Sequence, residues 1–478
     1  MPRLVAAALA LAGAAAAAQP RPVVLVHGFL SSPLTWSAYT APDGWLAAQG
    51  LKGYAVGDGQ AEGRMDLGGL GRLTAPTKTL PQNALELARY IAGVKKATGA
   101  KQVDLVAHSM GGLVARYYIA RVMATRDVAQ LIMLGSPHGG SECSGLATAL
   151  GVLAPASLEL RPAFLRQIFN RRITERRGVP FRMLAGDPIA DGFKAPCTGV
   201  PSDSMVSVNS VAAIEGEVQH MPVMHIGMTR SEEVFTRFVL PRLRDPHPAA
   251  GSSAASRPSS RSPPTQPAGD EDEAQFTQVF SGRVEGGSTA EIEVNLDEVA
   301  VASFALFDPS RSLEVTVRGA SGRTIELSAQ ANGLIRVDDP ASLLTLGYGF
   351  DKPRPGPWRV TLRAPRESTD YALSARVVGG AVLRSRAAPL APRAGQVVTL
   401  SAVLERAREP LTGLTMRAVV RSPDGRTETL ALRGEGTERT AIWRARLPGL
   451  HGIDIVATAQ AGDLRVERTS LLAVDVRP

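Results

Sequence analysis

The stretch KQVDLVAHSMGGLVARYY, residues 101–118, joins a strand of the buried type directly to a helix. A run of residues typical of a core strand ends at Ala107, and a helical pattern begins just after Ser109. Ala107 and Gly111, two positions to either side of Ser109, are the small residues that a sharp strand-to-helix turn needs when it presents a nucleophile. Ser109 is therefore a candidate nucleophile. The alternative is that it only caps the helix.

Apolar runs alternate with helical stretches from residue 19 to residue 245. The runs at 23–26 and 131–134 show no polar alternation, as expected for parallel strands that are buried on both faces. A helical stretch begins near Pro81 and stops at Gly99. This alternation predicts an α/β domain in which helices cover both faces of a mostly parallel sheet.

The second half of the chain has a different pattern. Residues 246–275 are rich in proline and serine and are predicted to form a linker. Short strands with alternating apolar and polar residues follow, which indicates all-β sandwich modules. We expect one module over 276–380 and a second, immunoglobulin-like module over 381–478, with Trp358 and Trp443 as core residues.

The N-terminus predicts export. Residues 1–18 have the outline of a signal peptide, and their apolar run is shorter than the roughly 20 residues that span a bilayer. No other stretch is apolar for long enough, so we expect a secreted or periplasmic protein without a transmembrane segment. In an oxidising compartment Cys143 and Cys197 can form one disulfide; the alternative is two buried thiols.

Charge and motifs exclude several classes of function. The formal net charge is +8, but no block of five or more basic residues occurs, so no nucleic-acid partner is expected. The sequence contains no His-Glu-x-x-His, Cys-x-x-Cys or Gly-x-x-x-x-Gly-Lys motif, and it therefore marks no metal or nucleotide site.

A serine nucleophile needs a histidine base, and the base needs an acid to orient it. Among the seven histidines, His220 and His225 follow the final strands of the α/β part and are the candidate bases. In this type of fold the acid stands between the serine and the histidine along the chain. Asp203 is the favoured acid, and its competitors are Asp187 and Asp191.

Five pieces of the α/β part resemble the secreted bacterial lipases of the α/β-hydrolase superfamily, with features of the related esterases that remodel lipid anchors. In chain order they are VVLVHGF, VDLVAHSMGGLVARYY, LIMLGSPHGGS, SDSMVSVNS and HIGMTRSEEV. The resemblance implies that Ser109 is the nucleophile, His225 the general base and Asp203 the acid. It also implies an oxyanion hole made by the backbone amides of Phe29 and Met110.

The implied reaction is hydrolysis of a carboxylic ester, with lipid esters such as acylglycerols as substrates and without a required cofactor. Some secreted lipases bind structural calcium, but nothing in this sequence marks its ligands. The β modules would hold the enzyme at an insoluble substrate or a lipid–water interface. The rival hypothesis is an extracellular binding or adhesion protein whose hydrolase domain is an inactive scaffold.

One further segment of the α/β part is a candidate for substrate binding. It comprises the nearly uncharged stretch 146–160 and the stretch 161–177, and it predicts a lid or an acyl-binding wall; ordinary helix packing is the alternative. Apolar residues recur at helical spacing in the second stretch, at Phe164, Leu165, Ile168, Phe169 and Ile173.

Overall fold

The structure is a computed structural model. It describes residues 20–69, 75–145, 155–190, 198–245, 274–337, 344–407 and 410–478. The predicted signal peptide, most of the predicted linker, Asp191 and Cys197 lie outside these ranges. Within them, no helix is both long and apolar enough to cross a membrane.

A six-stranded parallel sheet forms the centre of the first half, in the order β2-β1-β3-β4-β5-β6. The predicted architecture is confirmed, since helices flank a parallel sheet and antiparallel sheets follow it. The strands are β1 (Val23–Val26), β2 (Gly53–Ala55), β3 (Val103–His108), β4 (Val128–Leu134), β5 (Phe181–Gly186) and β6 (Val218–Met221).

Both faces of the parallel sheet are buried, which explains the uninterrupted apolar runs in the sequence. In β1, Val24 and Val26 belong to one hydrophobic cluster, whereas Val23 and Leu25 belong to the cluster on the opposite face. The helix Leu80–Thr98 packs in the first cluster. It begins at a capping box on Thr79 and ends at a left-handed glycine, close to the predicted limits.

The remaining helical segments are short. The α-helices are Ser37–Thr40, Met110–Tyr117, Ala156–Glu159, Pro162–Phe164, Asn170–Arg172, Val208–Val211, Glu232–Val234, Leu240–Arg244 and Ala329–Asn332. There are also 3₁₀ segments at Pro33–Trp36, Ala47–Gln49 and His225–Thr229, and π-helical segments at Tyr118–Val122, Leu165–Phe169 and Phe235–Val239.

Antiparallel strands build two β-sandwiches in the second half. Their cores are separate clusters, one containing Trp358 and the other Trp443, and each tryptophan is buried as predicted. One nine-stranded sheet, β12-β13-β9-β15-β7-β22-β21-β18-β19, runs through both sandwiches. The two parts of this sheet meet where Phe276 of β7 pairs with Thr469 of β22. The smaller sheets have the orders β11-β10-β14-β8 and β16-β17-β20.

The strands of the first sandwich are β7 (Ala274–Val284), β8 (Thr289–Leu296), β9 (Val301–Phe307), β10 (Glu314–Arg318), β11 (Thr324–Ile325), β12 (Ile335–Arg336), β13 (Leu346–Asp351), β14 (Gly356–Arg363) and β15 (Thr369–Val378). Those of the second are β16 (Val382–Ala388), β17 (Val397–Glu405), β18 (Thr412–Arg421), β19 (Thr427–Leu432), β20 (Glu438–Arg444), β21 (Gly449–Ala461) and β22 (Leu464–Val476).

Candidate active site

Ser109 occupies a strained turn between β3 and the helix that starts at Met110. Its φ of 54° and ψ of −131° place a non-glycine residue in a conformation that is rarely populated. The turn is tight because Gly111 lies against the β1 backbone, where a Cβ would come within 2.7 Å of the Val26 carbonyl oxygen. Small flanking residues are therefore a steric requirement of this turn, as the sequence predicts.

The structure brings Ser109, His225 and Asp203 together in one hydrogen-bonded chain. The Oγ of Ser109 lies 2.9 Å from Nε2 of His225, and Nδ1 of His225 lies 2.7 Å from Oδ2 of Asp203. All three side chains are buried, and Asp203 is fully inaccessible to solvent. This geometry allows the hydroxyl proton of Ser109 to pass to the imidazole while the carboxylate holds the ring.

Asp203 is held by its own loop. Its Oδ1 accepts hydrogen bonds from the backbone amides of Met205 at 3.0 Å and Val206 at 2.7 Å, and its carbonyl oxygen accepts one from the amide of His225. These donors stabilise a buried carboxylate and leave Oδ2 directed at the histidine. The loop therefore positions the acid and the start of the histidine segment together.

Among the described residues, the other candidates for base and acid that the sequence offers lie outside this hydrogen-bonded chain. His220 and Asp187 form a separate pair, with Nδ1 3.5 Å from Oδ2, and both side chains are partly exposed to solvent. Neither belongs to the hydrogen-bonded chain that includes Ser109. Asp191 is outside the described residues.

The two predicted oxyanion donors flank the nucleophile. Met110 is the first residue of the helix behind Ser109, so its amide stands at the positive end of the helix. Phe29 lines the same cleft as Ser109, and it follows Gly28, at which a Cβ would lie only 2.7 Å from the Cβ of Ser109. The loop after β1, which carries Phe29, therefore lies close to the nucleophile, because residue 28 has no side chain that would keep it away.

His108 has a role that sequence reasoning did not find. Its Nε2–H donates a hydrogen bond to the backbone carbonyl of His225 at 2.9 Å, and the two rings lie 4.7 Å apart. Burial lowers the pKa of His108 to about 3, and the nearby His225 adds to this shift. His108 is thus a neutral donor that holds the backbone of the histidine segment. The sequence shows only that it precedes the nucleophile.

The cleft above Ser109 is small and has mostly apolar walls. Its volume is about 60 Å³, whereas pockets for drug-sized ligands measure roughly 300–1,000 Å³. Leu160, which belongs to the predicted lid or wall segment, contributes to its lining. The apolar residues at helical spacing in that segment are all buried, in the main cluster of the catalytic core, and residues 146–154 of the segment lie outside the described residues. The other apolar lining residues are Phe29, Leu30, Pro137, Met205, Val206 and Ile226.

Only one cysteine of the predicted disulfide lies within the described residues. Cys143 is fully buried beside the cleft, and Cys197 lies outside the described residues. The bridge therefore stays a prediction. No group of three or more histidine, cysteine, aspartate or glutamate side chains with metal-binding geometry occurs in the described ranges.

An elbow serine, a buried histidine and a buried aspartate on a parallel sheet define the class of the α/β hydrolases. The family model described as "Alpha/beta hydrolase family" matches residues 23–275, more than half of the chain. The chain belongs to the alpha/beta hydrolase family.

Two curated relatives are similar over a short stretch. A triacylglycerol lipase of Pseudarthrobacter phenanthrenivorans and one of Burkholderia plantarii are each 46% identical over 57 residues, which is 12% of this chain. The chain spans 17% and 15% of the length of these relatives.

One solved structure is similar over nearly the whole chain. The crystal structure of the Bacillus licheniformis lipase BlEst2 in its propeptide form superposes with a TM-score of 0.60 at 15% identity. The match covers 96% of this chain and 95% of that one. At this identity the likeness concerns the fold, and it includes the β-rich second half.

Proposed function

We propose that this protein is an exported serine hydrolase that cleaves carboxylic esters of lipids. The observation that carries the proposal is the chain of hydrogen bonds from Ser109 through His225 to Asp203. A serine hydroxyl is a weak nucleophile until a base in contact with it removes its proton. Here the base is in contact with the serine, and a buried acid holds that base.

Catalysis follows from the positions of the atoms. Ser109 Oγ attacks the acyl carbonyl carbon while its proton moves to Nε2 of His225. Asp203 stabilises the imidazolium through Nδ1–H, and the amides of Met110 and Phe29 stabilise the oxyanion. The imidazolium then gives its proton to the departing alcohol, which leaves Ser109 acylated. Water, activated by the same histidine, releases the acid and restores the serine.

The chemistry of the cleft supports an acyl substrate. Its walls are mostly apolar and suit a hydrocarbon chain, while the polar atoms of Ser109 and His225 lie at its base. The curated relatives that match 57 residues of the chain are triacylglycerol lipases, which favours the same substrate class. An ester of a fatty acid is therefore the proposed substrate.

Export and a disulfide complete the proposal. Residues 1–18 have the composition of a signal peptide, and a secreted enzyme would form the Cys143–Cys197 bridge in an oxidising compartment. Cys143 lies next to the cleft, in one cluster with Leu30, so the bridge would brace the wall of the substrate site.

The test is hydrolysis of p-nitrophenyl butyrate and p-nitrophenyl palmitate by the full mature chain. Ser109→Ala and His225→Ala should each lower kcat/KM by at least about a thousandfold. His220→Ala is the matched control, because it removes the competing histidine, and it should retain full activity. If Ser109→Ala remains active, or if the wild type neither cleaves an ester nor reacts at Ser109 with diethyl p-nitrophenyl phosphate, the rival inactive-scaffold hypothesis is favoured.

A further inference from the structure

One sheet of the first sandwich is buried on both of its faces. In β9, Ala302, Phe304 and Leu306 point into the sandwich core, and Ala305 and Phe307 point away from it. The outer face of an antiparallel sandwich is ordinarily solvated and polar. Here the outward residues are apolar and fully buried, so another part of the chain covers them.

The covering part is the mouth of the catalytic cleft. Phe307 and its cross-strand partner Ala372 of β15 form one buried cluster with Leu30, and Met205 and Ile226 pack against that cluster. Leu30, Met205 and Ile226 also line the cleft above Ser109. The outer face of the β9–β15 pair therefore lies directly on the walls of the active site.

The second sandwich packs against the residues on either side of Leu160. Arg161 is fully buried and donates to the carbonyl of Leu472 in β22 at 3.0 Å, and it forms an ion pair with Asp454 of β21 at 2.8 Å. Gly452 of β21 lies so close that a Cβ there would be 2.6 Å from Leu158. Both sandwiches thus contact the parts of the catalytic domain that form the cleft.

The cleft beside this contact has a small volume. A cavity of about 60 Å³ does not accommodate a fatty acyl chain, although its walls are apolar. A larger groove of about 800 Å³ adjoins it, but that groove has mixed walls, in which the charged residues Arg64, Asp66 and Lys78 lie beside apolar ones. An acyl chain there would remove charged groups from water, which is unfavourable. The sheet covers apolar residues that also line the cleft, namely Leu30, Met205 and Ile226.

We propose that the second half of the chain is an internal inhibitor that closes the catalytic cleft. The outer face of β9 and β15 seals the mouth, and the contact of Arg161 with β21 and β22 holds the adjoining wall. Substrate reaches Ser109 only after this half moves away or is removed. The inference rests on the proposed ester hydrolase and adds its regulation.

The proposal is tested by placing a charge in the seal. Ala372→Arg and Ala305→Arg each put a cation into a buried apolar cluster, which favours the open arrangement, in which that face is hydrated. The opposite face of the sheet, with the sandwich core, is unchanged. Ala431→Arg, at an exposed position of β19, is the matched control. Circular dichroism and thermal unfolding verify that each variant is folded.

Two rates are measured on each full-length chain. One is phosphorylation of the active serine by the small inhibitor diethyl p-nitrophenyl phosphate, and the other is hydrolysis of p-nitrophenyl palmitate. Both variants should react about tenfold faster or more than the wild type, and the control should match the wild type. Equal rates in all folded chains overturn the inhibitor proposal alone. Absence of any reaction in every chain instead overturns the proposed hydrolase function.

A second measurement covers the case in which the arginine variants do not fold. A protease recognition sequence is inserted between residues 246 and 273 of the full chain, which is then cut. Once cut, the two halves are held only by their contacts, so dilution releases the inhibitor. The phosphorylation rate constant of the cut protein should rise about tenfold or more on dilution, while the uncut insertion control stays constant. A rate constant that is independent of dilution and equal to that of the uncut control contradicts the proposal.

Discussion

The Nδ1–H of His225 donates a hydrogen bond of 2.7 Å to the carboxylate of Asp203, and the backbone amide of His225 donates another to the backbone carbonyl of Asp203. Asp203 therefore fixes both the ring and the main chain of the base. In Asp203→Asn the new amide can donate to Nδ1 and so favour the wrong tautomer of the histidine. We predict that kcat falls by about ten-thousandfold.

Steady-state kinetics on the variant measures this loss. Asp187→Asn is the matched control, because Asp187 forms its contact with His220 instead. It should keep its activity within about twofold of the wild type. Similar losses in both variants would contradict the assignment of Asp203.

Gly28 sets the distance between the Phe29 loop and the nucleophile. A Cβ at this position would lie 2.7 Å from the Cβ and 3.3 Å from the Oγ of Ser109, so Gly28→Ala displaces either the loop or the serine. We predict a loss of kcat of about a hundredfold or more, because one oxyanion donor is misplaced. Gly69→Ala is the control, since among the described residues no atom, chain neighbours aside, lies within 4 Å of the place that its new methyl group would take. Equal kcat values for the two variants would show that the loop does not act in catalysis.

Glu159 predicts a pH dependence of stability. Burial raises the pKa of its carboxyl from 4.5 to about 8, against the effect of a hydrogen bond from the Leu80 amide. The contribution of Glu159 to the stability of the folded state is complete below pH 4.5 and is lost as the pH rises through 8. Between these values the folded state keeps a proton on Glu159 that the unfolded state has released. Over this window the slope is at most about 1.4 kcal/mol per pH unit.

The matched variant is Glu159→Gln, which keeps an acceptor for the Leu80 amide and has no proton to lose. Denaturant unfolding between pH 5 and pH 9 should show that the wild type loses stability relative to this variant as the pH rises. Parallel curves for the two proteins would contradict the raised pKa.

Arg468 and Asp297 join the two sandwiches. Their charged groups lie 2.6 Å apart and are fully buried, and the guanidinium also donates to the carbonyl of Ala381. Arg468→Met leaves the carboxylate buried without its cation, and we predict a loss of about 3–5 kcal/mol in the free energy of unfolding. Arg384→Met makes the same change in the exposed pair of Arg384 and Glu405, and it should have little effect on the free energy of unfolding. Chemical denaturation compares the two variants.

Local pattern was sufficient to predict the catalytic fold and to mark Ser109 as a candidate nucleophile. The small residues around Ser109 follow from the steric demands of one turn, and the uninterrupted apolar strands follow from burial on both sheet faces. Chain order leaves Asp203 and His225 among several candidates, the family resemblance favours these two, and the structure brings both to Ser109. Each of these features depends on residues that are close in sequence or on a general property of the fold.

Contacts between the two halves could not be read from local pattern. β9, with the sequence VASFALF, is apolar on both faces. This pattern indicates that both faces are buried, but it does not indicate which part of the chain covers the outer face. Arg161 and Asp454 are far apart in sequence, and nothing near either residue identifies the other. The role of His108 was missed for the same reason, because its acceptor is a backbone carbonyl that carries no sequence signal.

The central claim, that Ser109 is the nucleophile, is tested most directly by covalent trapping. The full chain is incubated with diethyl p-nitrophenyl phosphate, and the modified peptide is located by mass spectrometry. Because the adduct is covalent, modified protein accumulates even when the cleft opens rarely. The account predicts a single diethylphosphoryl group on Ser109, none in Ser109→Ala and much slower modification in His225→Ala. No adduct, or an adduct on another residue at the same rate in Ser109→Ala, would contradict it.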